Sequence, residues 1–375
     1  MASVHHRTVK MTNKKLCFFG DTNKVIVLDL HEETWQIKTI NKPNYEFLYY
    51  AAAVTLPNGD ALITGGGSSQ TVFQFLTQKN DLVQKRNMNQ MRKEHAAVIA
   101  DYSVYVMGGY DGVQNVFLNC CEVYNVKKDE WRFFASMNIS KCAFSATVVN
   151  NRFIYTFGGY DGQNRLDAIE RYSIIEGDWL LLKIKLKLPL SNCACFCPEP
   201  DKVVVFGGGF SSGFSPYVEQ IDIKTGVWKT LPVMNEGRDL RNKVCFIDDN
   251  SYAVGGLNSK AEKFSFKEKK WVTIPEYPLS DNLDSWASAL CYIPQEYSNL
   301  QIRNKASLSS GIQEESKEFE RLLEKERAID AEIKQEIDKY RMKQKNRSNA
   351  PAAGSAAAQQ HALGVYGDDV IEIVD

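Results

Sequence analysis

Histidine is scarce in this chain, with five in 375 residues. His5 and His6 lie near Met1 and His361 near the other end, leaving only His31 and His95 between. No catalytic metal centre built on clustered imidazoles is expected from that set. Net charge is nearly absent as well, 45 basic residues against 46 acidic. The chain as a whole therefore has no electrostatic reason to hold nucleic acid or a membrane surface. No apolar run reaches the roughly 18 to 20 residues that span a bilayer. The opening "MASVHHRTVKMTNKK" lacks the apolar centre of a secretory signal, so a cytoplasmic address is expected, with the nucleus also open. Gly-x-Ser-x-Gly elbows, phosphate-binding loops and dinucleotide fingerprints are missing too, and the expectation is no enzyme, no cofactor and no metal. The nine cysteines are odd in number and form no disulfide framework. Cys193, Cys195 and Cys197 stand two apart, which puts all three thiols on one face of a strand. Zinc sites need a second ligand pair, which is missing, so buried core thiols are expected.

Glycine, by contrast, is placed with regularity. Gly65-Gly66, Gly108-Gly109, Gly158-Gly159, Gly207-Gly208 and Gly255-Gly256 recur every 43 to 50 residues, and Gly20 in "LCFFGD" marks a weaker first copy. Each pair follows a β-branched or aromatic run ("ALIT", "VYVM", "IYTF", "VVVF", "SYAV"), a strand that ends where positive φ or close backbone approach is needed. Another strand-like run precedes it, as in "HAAVIA" and "AFSATVV". Trp35, Trp131, Trp179, Trp228 and Trp271 follow the glycines by about fifteen to twenty-two residues, and only the second copy has Leu82 in that slot. One unit therefore reads as four short strands. In the two strongest copies, "VYVMGGYDG" and "IYTFGGYDG", Asp can cap its own backbone and the following Gly can turn the chain.

Strand, Gly-Gly, Tyr-Asp-Gly, Glu-x-Tyr and then Trp resembles the kelch repeat, over residues 16 to 293 or about three quarters of the chain. Six copies imply an all-β, six-bladed kelch propeller over residues 1–300, with the tryptophans filling the gaps between blades. Ring closure has two readings. "SWASALCYI" (285–293) completes the blade holding Gly20, or "HHRTVKM" does so and a seventh, broken blade follows; the first is favoured.

The resemblance implies a non-enzymatic scaffold or adaptor that binds a peptide or loop of a protein partner at the rim of the propeller bowl. Loops leading into the innermost strands supply the matching positions: Tyr49 and Tyr50, Arg92 and Lys93, Ser140 and Lys141, Arg238, Arg241 and Asn242, with Trp286 on the closing strand. Cations beside aromatics and hydroxyls suit carboxylates around an apolar anchor. Substrate recognition in the ubiquitin pathway is one such role. Adaptors of that kind carry a dimerising or ligase-recruiting domain ahead of the propeller, and here the first blade begins within about fifteen residues of Met1. An actin- or microtubule-associated role is the alternative.

Composition changes after about residue 299. Residues 301–346 contain a charged helix with Phe319, Leu322, Ile329, Ile333 and Tyr340 at three-four spacing, able to pair as a coiled coil and self-associate. Residues 347–375 begin as a low-complexity linker. They end in "GDDVIEIVD", where Val370, Ile371, Ile373 and Val374 sit among Asp368, Asp369, Glu372 and Asp375. Such a run suits addition to another protein's sheet edge. It resembles the SUMO-interacting motif. It also resembles the acidic tag read by cochaperones, except that Ile373 stands where that tag has glutamate.

Overall fold

A computed structural model describes residues 11–20, 23–42, 45–240, 244–247, 250–254, 261–275 and 287–294. The expected helix of 301–346, the tail residues Val370, Ile371, Ile373 and Val374, and Gly255, Gly256, Arg241, Asn242 and Trp286 lie outside them.

Six four-stranded antiparallel sheets form the blades, I to VI. Blades II to VI each run in sequence order from the axis outward. Blade III shows the pattern: Ala96–Ala100, Ser103–Asp111, Val116–Asn125 and Glu130–Phe134. Small residues crowd the innermost strands, as in Ser145–Val149 of blade IV and Ala194–Glu199 of blade V. The second strands, such as Ala61–Thr64 of blade II, are buried on both faces, whereas the outermost, such as Thr34–Thr39 of blade I, are mostly exposed. That gradient is the burial expected when sheets pack face to face around a ring.

The favoured closure is the one observed. In blade I the inner strand is Ala287–Pro294, paired antiparallel with Met11–Phe19 in the register Cys17 with Ala289 and Phe19 with Ala287. Tyr292 anchors this strand to blade II, its N–H donating to the Gly59 carbonyl (3.1 Å) and its hydroxyl to that of Pro57 (3.1 Å). Neighbouring inner strands then touch all the way round, from blade I through blade VI and back.

The described core divides into clusters that match the six interfaces between blades. Cys193 and Cys195 belong to the cluster between blades IV and V, with Cys197 packed against it. Four of the tryptophans also bind across the gap. The Trp35, Trp131, Trp179 and Trp271 indoles donate to the carbonyls of Pro275, Arg86, Ala135 and Pro232, each in the preceding blade, at 2.7 to 2.9 Å. Trp228 packs in the core between IV and V. Between I and II, where Leu82 replaces tryptophan, Phe19, Phe47, Phe73 and Phe75 fill the space.

The diglycines make the blades meet. The second glycine of each described pair donates its N–H to the loop leading into the next blade: Gly66 to Arg92, Gly109 to Lys141, Gly159 to Leu190 and Gly208 to Arg238 (2.7 to 3.0 Å). Gly158 has φ +64°, and a Cβ there would lie 2.3 Å from the Leu190 carbonyl oxygen. A side chain would hold the two backbones apart.

Candidate protein-interaction face

Blades III, IV and VI are entered through loops with the same spelling: Met88-Asn89-x-x-Arg92, Met137-Asn138-x-x-Lys141 and Met234-Asn235-x-x-Arg238. Each methionine plugs a core between blades. The cation four residues on does not face solvent. Arg92 and Lys141 are 0% exposed and Arg238 is 2% exposed. Arg92 Nη2 donates to Glu122 Oε1 (2.8 Å), while Nη1 donates to the carbonyls of Gly108 (2.7 Å) and Cys120 (3.0 Å). Lys141 Nζ lies 2.8 Å from Glu170 Oε2 and donates to Thr156 Oγ1 (3.0 Å). Arg238 reaches Glu262 Oε1 through both Nε (3.0 Å) and Nη2 (2.6 Å).

The three glutamates occupy one position in the third strand of their blades, two residues across from the glycine pair. Each also caps the loop that brings its cation: Glu122 accepts from the Asn89 and Gln90 N–H groups, Glu170 from Asn138 and Glu262 from Asn235. Buried charges survive only when paired and hydrogen-bonded in this way. Arg92, Lys141 and Arg238, expected as exposed rim contacts, are therefore locks beneath the rim. Loop membership makes a cation look exposed, but here a carboxylate 24 to 30 residues away draws it inward. The recurring Met-Asn-x-x-Arg/Lys, answered by a third-strand Glu, was the signal in the sequence. Blade V departs from it, with buried Leu190 in the cation's place and Glu219 paired at the surface to Lys187 (2.6 Å).

His95 is internal too, its Nε2 2.9 Å from Thr64 Oγ1. Burial, and then the Arg92 charge, hold its pKa well below the ordinary value, so the ring is neutral. Among the described residues no three potential metal-ligating side chains converge. No helix there is long and apolar enough to cross a membrane, which says nothing of strands.

Around the axis a chain of backbone bonds ties the lead-in loops together. Glu94 N–H donates to the Tyr50 carbonyl, Ala143 to Glu94, Asn192 to Ala143 and Leu240 to Asn192, at 2.6 to 3.0 Å. Tyr50, Glu94, Ala143 and Asn192 all take left-handed backbone angles, φ 53° to 59°, to make it.

A row of rings lies along this end of the propeller, Tyr49 exposed and Tyr110, Phe117 and Tyr160 half-buried. Tyr49, 44% exposed, meets Tyr50 edge-on at 5.2 Å. Lys93 Nζ lies over the rings of Tyr49 (5.8 Å) and Tyr110 (5.5 Å). Tyr110 continues to Phe117 (5.0 Å) and Phe117 to Tyr160 (5.8 Å). The strip thus crosses blades II, III and IV, and Ser140 is half-buried in the loop leading into IV. The Tyr-Asp-Gly turns build it. Asp111 Oδ1 accepts from Val113 and Gln114, and Asp161 Oδ1 from Gln163 and Asn164. Gly162 has φ +103°, and a Cβ there would lie 2.7 Å from Phe117 Cε2, so only glycine lets the blade IV turn lie against the blade III ring. Beyond Tyr160, Arg165 Nε donates to Ser191 Oγ (3.2 Å). Among the described residues neither Lys93 nor Arg165 has a carboxylate partner.

Known sequences agree with this architecture. The family description KLHDC2/KLHL20/DRC7 Kelch-repeats domain matches residues 5–194. The chain belongs to the kelch-repeat family. Kelch repeat and BTB domain-containing protein 1 of ectromelia virus (strain Moscow) is 27% identical over 203 residues, 51% of this chain and 34% of that protein. Human Kelch-like protein 6 is 30% identical over 129 residues, 34% of this chain and 20% of that protein. Human Kelch-like protein 15 is 23% identical over 237 residues, 56% and 38% of the two chains. The alignments cover between a fifth and two fifths of the length of these kelch relatives.

Proposed function

We propose that this kelch propeller is a non-enzymatic interaction scaffold that holds a protein partner on the strip formed by Tyr49, Lys93, Tyr110, Phe117 and Tyr160. The observation that carries the reading is a division among cations. Those beneath the rim are consumed by buried glutamates, while half-buried Lys93, set over the rings of exposed Tyr49 and half-buried Tyr110, is not. Tyrosine and phenylalanine are enriched at protein interfaces, and a cation beside them adds charge complementarity. Relatives named for a BTB domain beside their kelch repeats favour an adaptor role, with ubiquitin-pathway substrate recognition as its setting. The cytoskeletal alternative rests on the bivalence that a self-associating helix in 301–346 gives a propeller. The acidic, β-branched end of the chain is a second docking element, for SUMO or another sheet edge, through Val370, Ile371, Ile373 and Val374. A cytoplasmic location, with access to the nucleus, fits these roles.

Affinity capture with the intact chain tests the scheme. Partners held by the strip are lost with Tyr110→Ala/Phe117→Ala and kept with Val370→Ala/Ile371→Ala; tail partners show the reverse. Co-sedimentation with actin filaments or microtubules separates the cytoskeletal role from the adaptor. A set of partners indifferent to both double substitutions refutes the assignment.

A further inference from the structure

We infer that the strip takes an extended peptide segment in which a proline or aromatic residue stands beside a carboxylate. This rests on the reading of the rim as the interaction face. The first argument is what the tyrosines offer. Tyr110 donates its hydroxyl to Asn115 Oδ1 and Tyr160 donates its own to the Gly162 carbonyl (2.9 Å). With those hydroxyls committed inside their own turns, ring surface is left for the ligand. Such a surface selects apolar, flat groups over polar ones, and proline-rich extended segments are the peptides that dock on aromatic surfaces with least loss of entropy.

The second argument is charge. Lys93 and Arg165 flank the run Tyr110, Phe117, Tyr160, and neither has an acidic partner among the described residues. Partner carboxylates at either side of the ring-bearing residue would complete them. A single-stranded nucleic acid also seeks rings and cations. The rings here are poorly disposed for it: Tyr110 and Phe117 meet at 55° and Phe117 and Tyr160 at 76°, so no two parallel faces stand ready to sandwich a base. The chain's net charge of −1 argues the same way.

The test selects a random short-peptide phage library on the intact protein. Enriched peptides are then measured by fluorescence anisotropy against wild type, Phe117→Ala and Lys93→Gln, with a short oligothymidylate as the competing probe. The expected pool carries proline or an aromatic residue within a position or two of Asp or Glu. Phe117→Ala is expected to weaken binding about tenfold. Lys93→Gln is expected to weaken it about threefold at low salt, with the difference shrinking at high salt. A pool rich in Lys and Arg, binding that ignores both variants, or oligothymidylate binding tighter than any peptide overturns the inference. Enriched peptides that carry no Asp or Glu yet lose binding on Phe117→Ala leave the rim reading standing and sink only this ligand. Failure to enrich any peptide, together with no captured partner, sinks both. If Phe117→Ala fails to fold, Lys93→Gln, a surface change, decides alone.

Discussion

Arg92 offers the sharpest test of the packing. Replacing it with methionine removes the guanidinium that meets Glu122 at 2.8 Å and leaves that carboxylate, also 0% exposed, without its counter-charge. Breaking a buried pair from one side costs about 3 to 5 kcal/mol. The Gly108 and Cys120 carbonyls lose their donor in the same step, at about 1 to 3 kcal/mol for each group left unpaired. Glu122→Leu should cost a similar amount, because the carboxylate also accepts from Asn89 and Gln90. The double variant Arg92→Met/Glu122→Leu should lose markedly less than the two singles together, since neither charge is then stranded. It should not return to wild type, because the loop N–H groups and both carbonyls stay unsatisfied. Urea unfolding followed by tryptophan fluorescence and circular dichroism measures all four corners, with coincident transitions as the check on two-state behaviour. Strict additivity, or an Arg92→Met variant within about 0.5 kcal/mol of wild type, would refute the lock. It would return Arg92 to the binding surface. Under the lock, any partner lost by Arg92→Met is lost in proportion to the unfolded fraction.

Three further outcomes are expected. Trp131→Phe, which keeps a ring between blades II and III but removes the indole bond to the Arg86 carbonyl, should cost about 1 kcal/mol by urea midpoint, and no change would mean that the bond adds nothing. Gly162→Ala should lower thermal stability more than Gly177→Ala. Both positions have positive φ, but a methyl at 162 strikes Phe117 whereas nothing lies within 4 Å of 177; equal losses would refute the close approach. His95, held neutral by burial and then by Arg92, makes stability fall with acid: the unfolded chain takes up a proton below about pH 6.5 and the folded one does not. That contribution is complete above about pH 6.5 and is lost at about 1.4 kcal/mol per pH unit as pH drops toward the folded pKa. The slope should flatten in His95→Gln, and an unchanged slope would show that His95 does not carry it.

The ring was legible because its signals are local and periodic. Diglycine, tryptophan and the alternating cysteines each follow from one strand's geometry, and a period near fifty residues fixes the blade number. Even the closing strand 287–294 was readable, since its alanine-rich spelling matches other inner strands. The direction of a loop side chain was not. "MRKEH" presents Arg92 and Lys93 as neighbours, yet one is sealed against Glu122 and the other lies over two tyrosines. Only the position of a glutamate thirty residues away separates them. Phe117 carries no sequence signal of its role for a related reason. It lies two residues into a strand whose pairing shifts register between Leu118 and Cys121, and that irregularity carries the strand start out toward the blade IV turn.

The way the ring divides its work explains why recognition should fall on the turns after the diglycines. A propeller is held by nearest-neighbour interfaces, each with its own apolar cluster, so every blade must solve the same closure problem. In blades III, IV and VI the lead-in loops solve it with plugged methionines and buried cations, and a relay of backbone bonds joins the loops from Tyr50 to Leu240. They are consequently constrained there and poor material for a specific site. The turns after the glycine pairs carry no such duty, and they differ: an extended bulged strand in blade III, a Tyr-Asp-Gly turn in IV, and in V an added hairpin pairing Gly209–Phe210 with Gly213–Phe214. Freedom to vary on a rigid base is the condition under which loops acquire binding function. In this chain those turns supply Tyr110, Tyr160 and Arg165, and the adjoining strand start supplies Phe117. Only Tyr49 and Lys93 are borrowed from the constrained set, at positions whose neighbours do the locking.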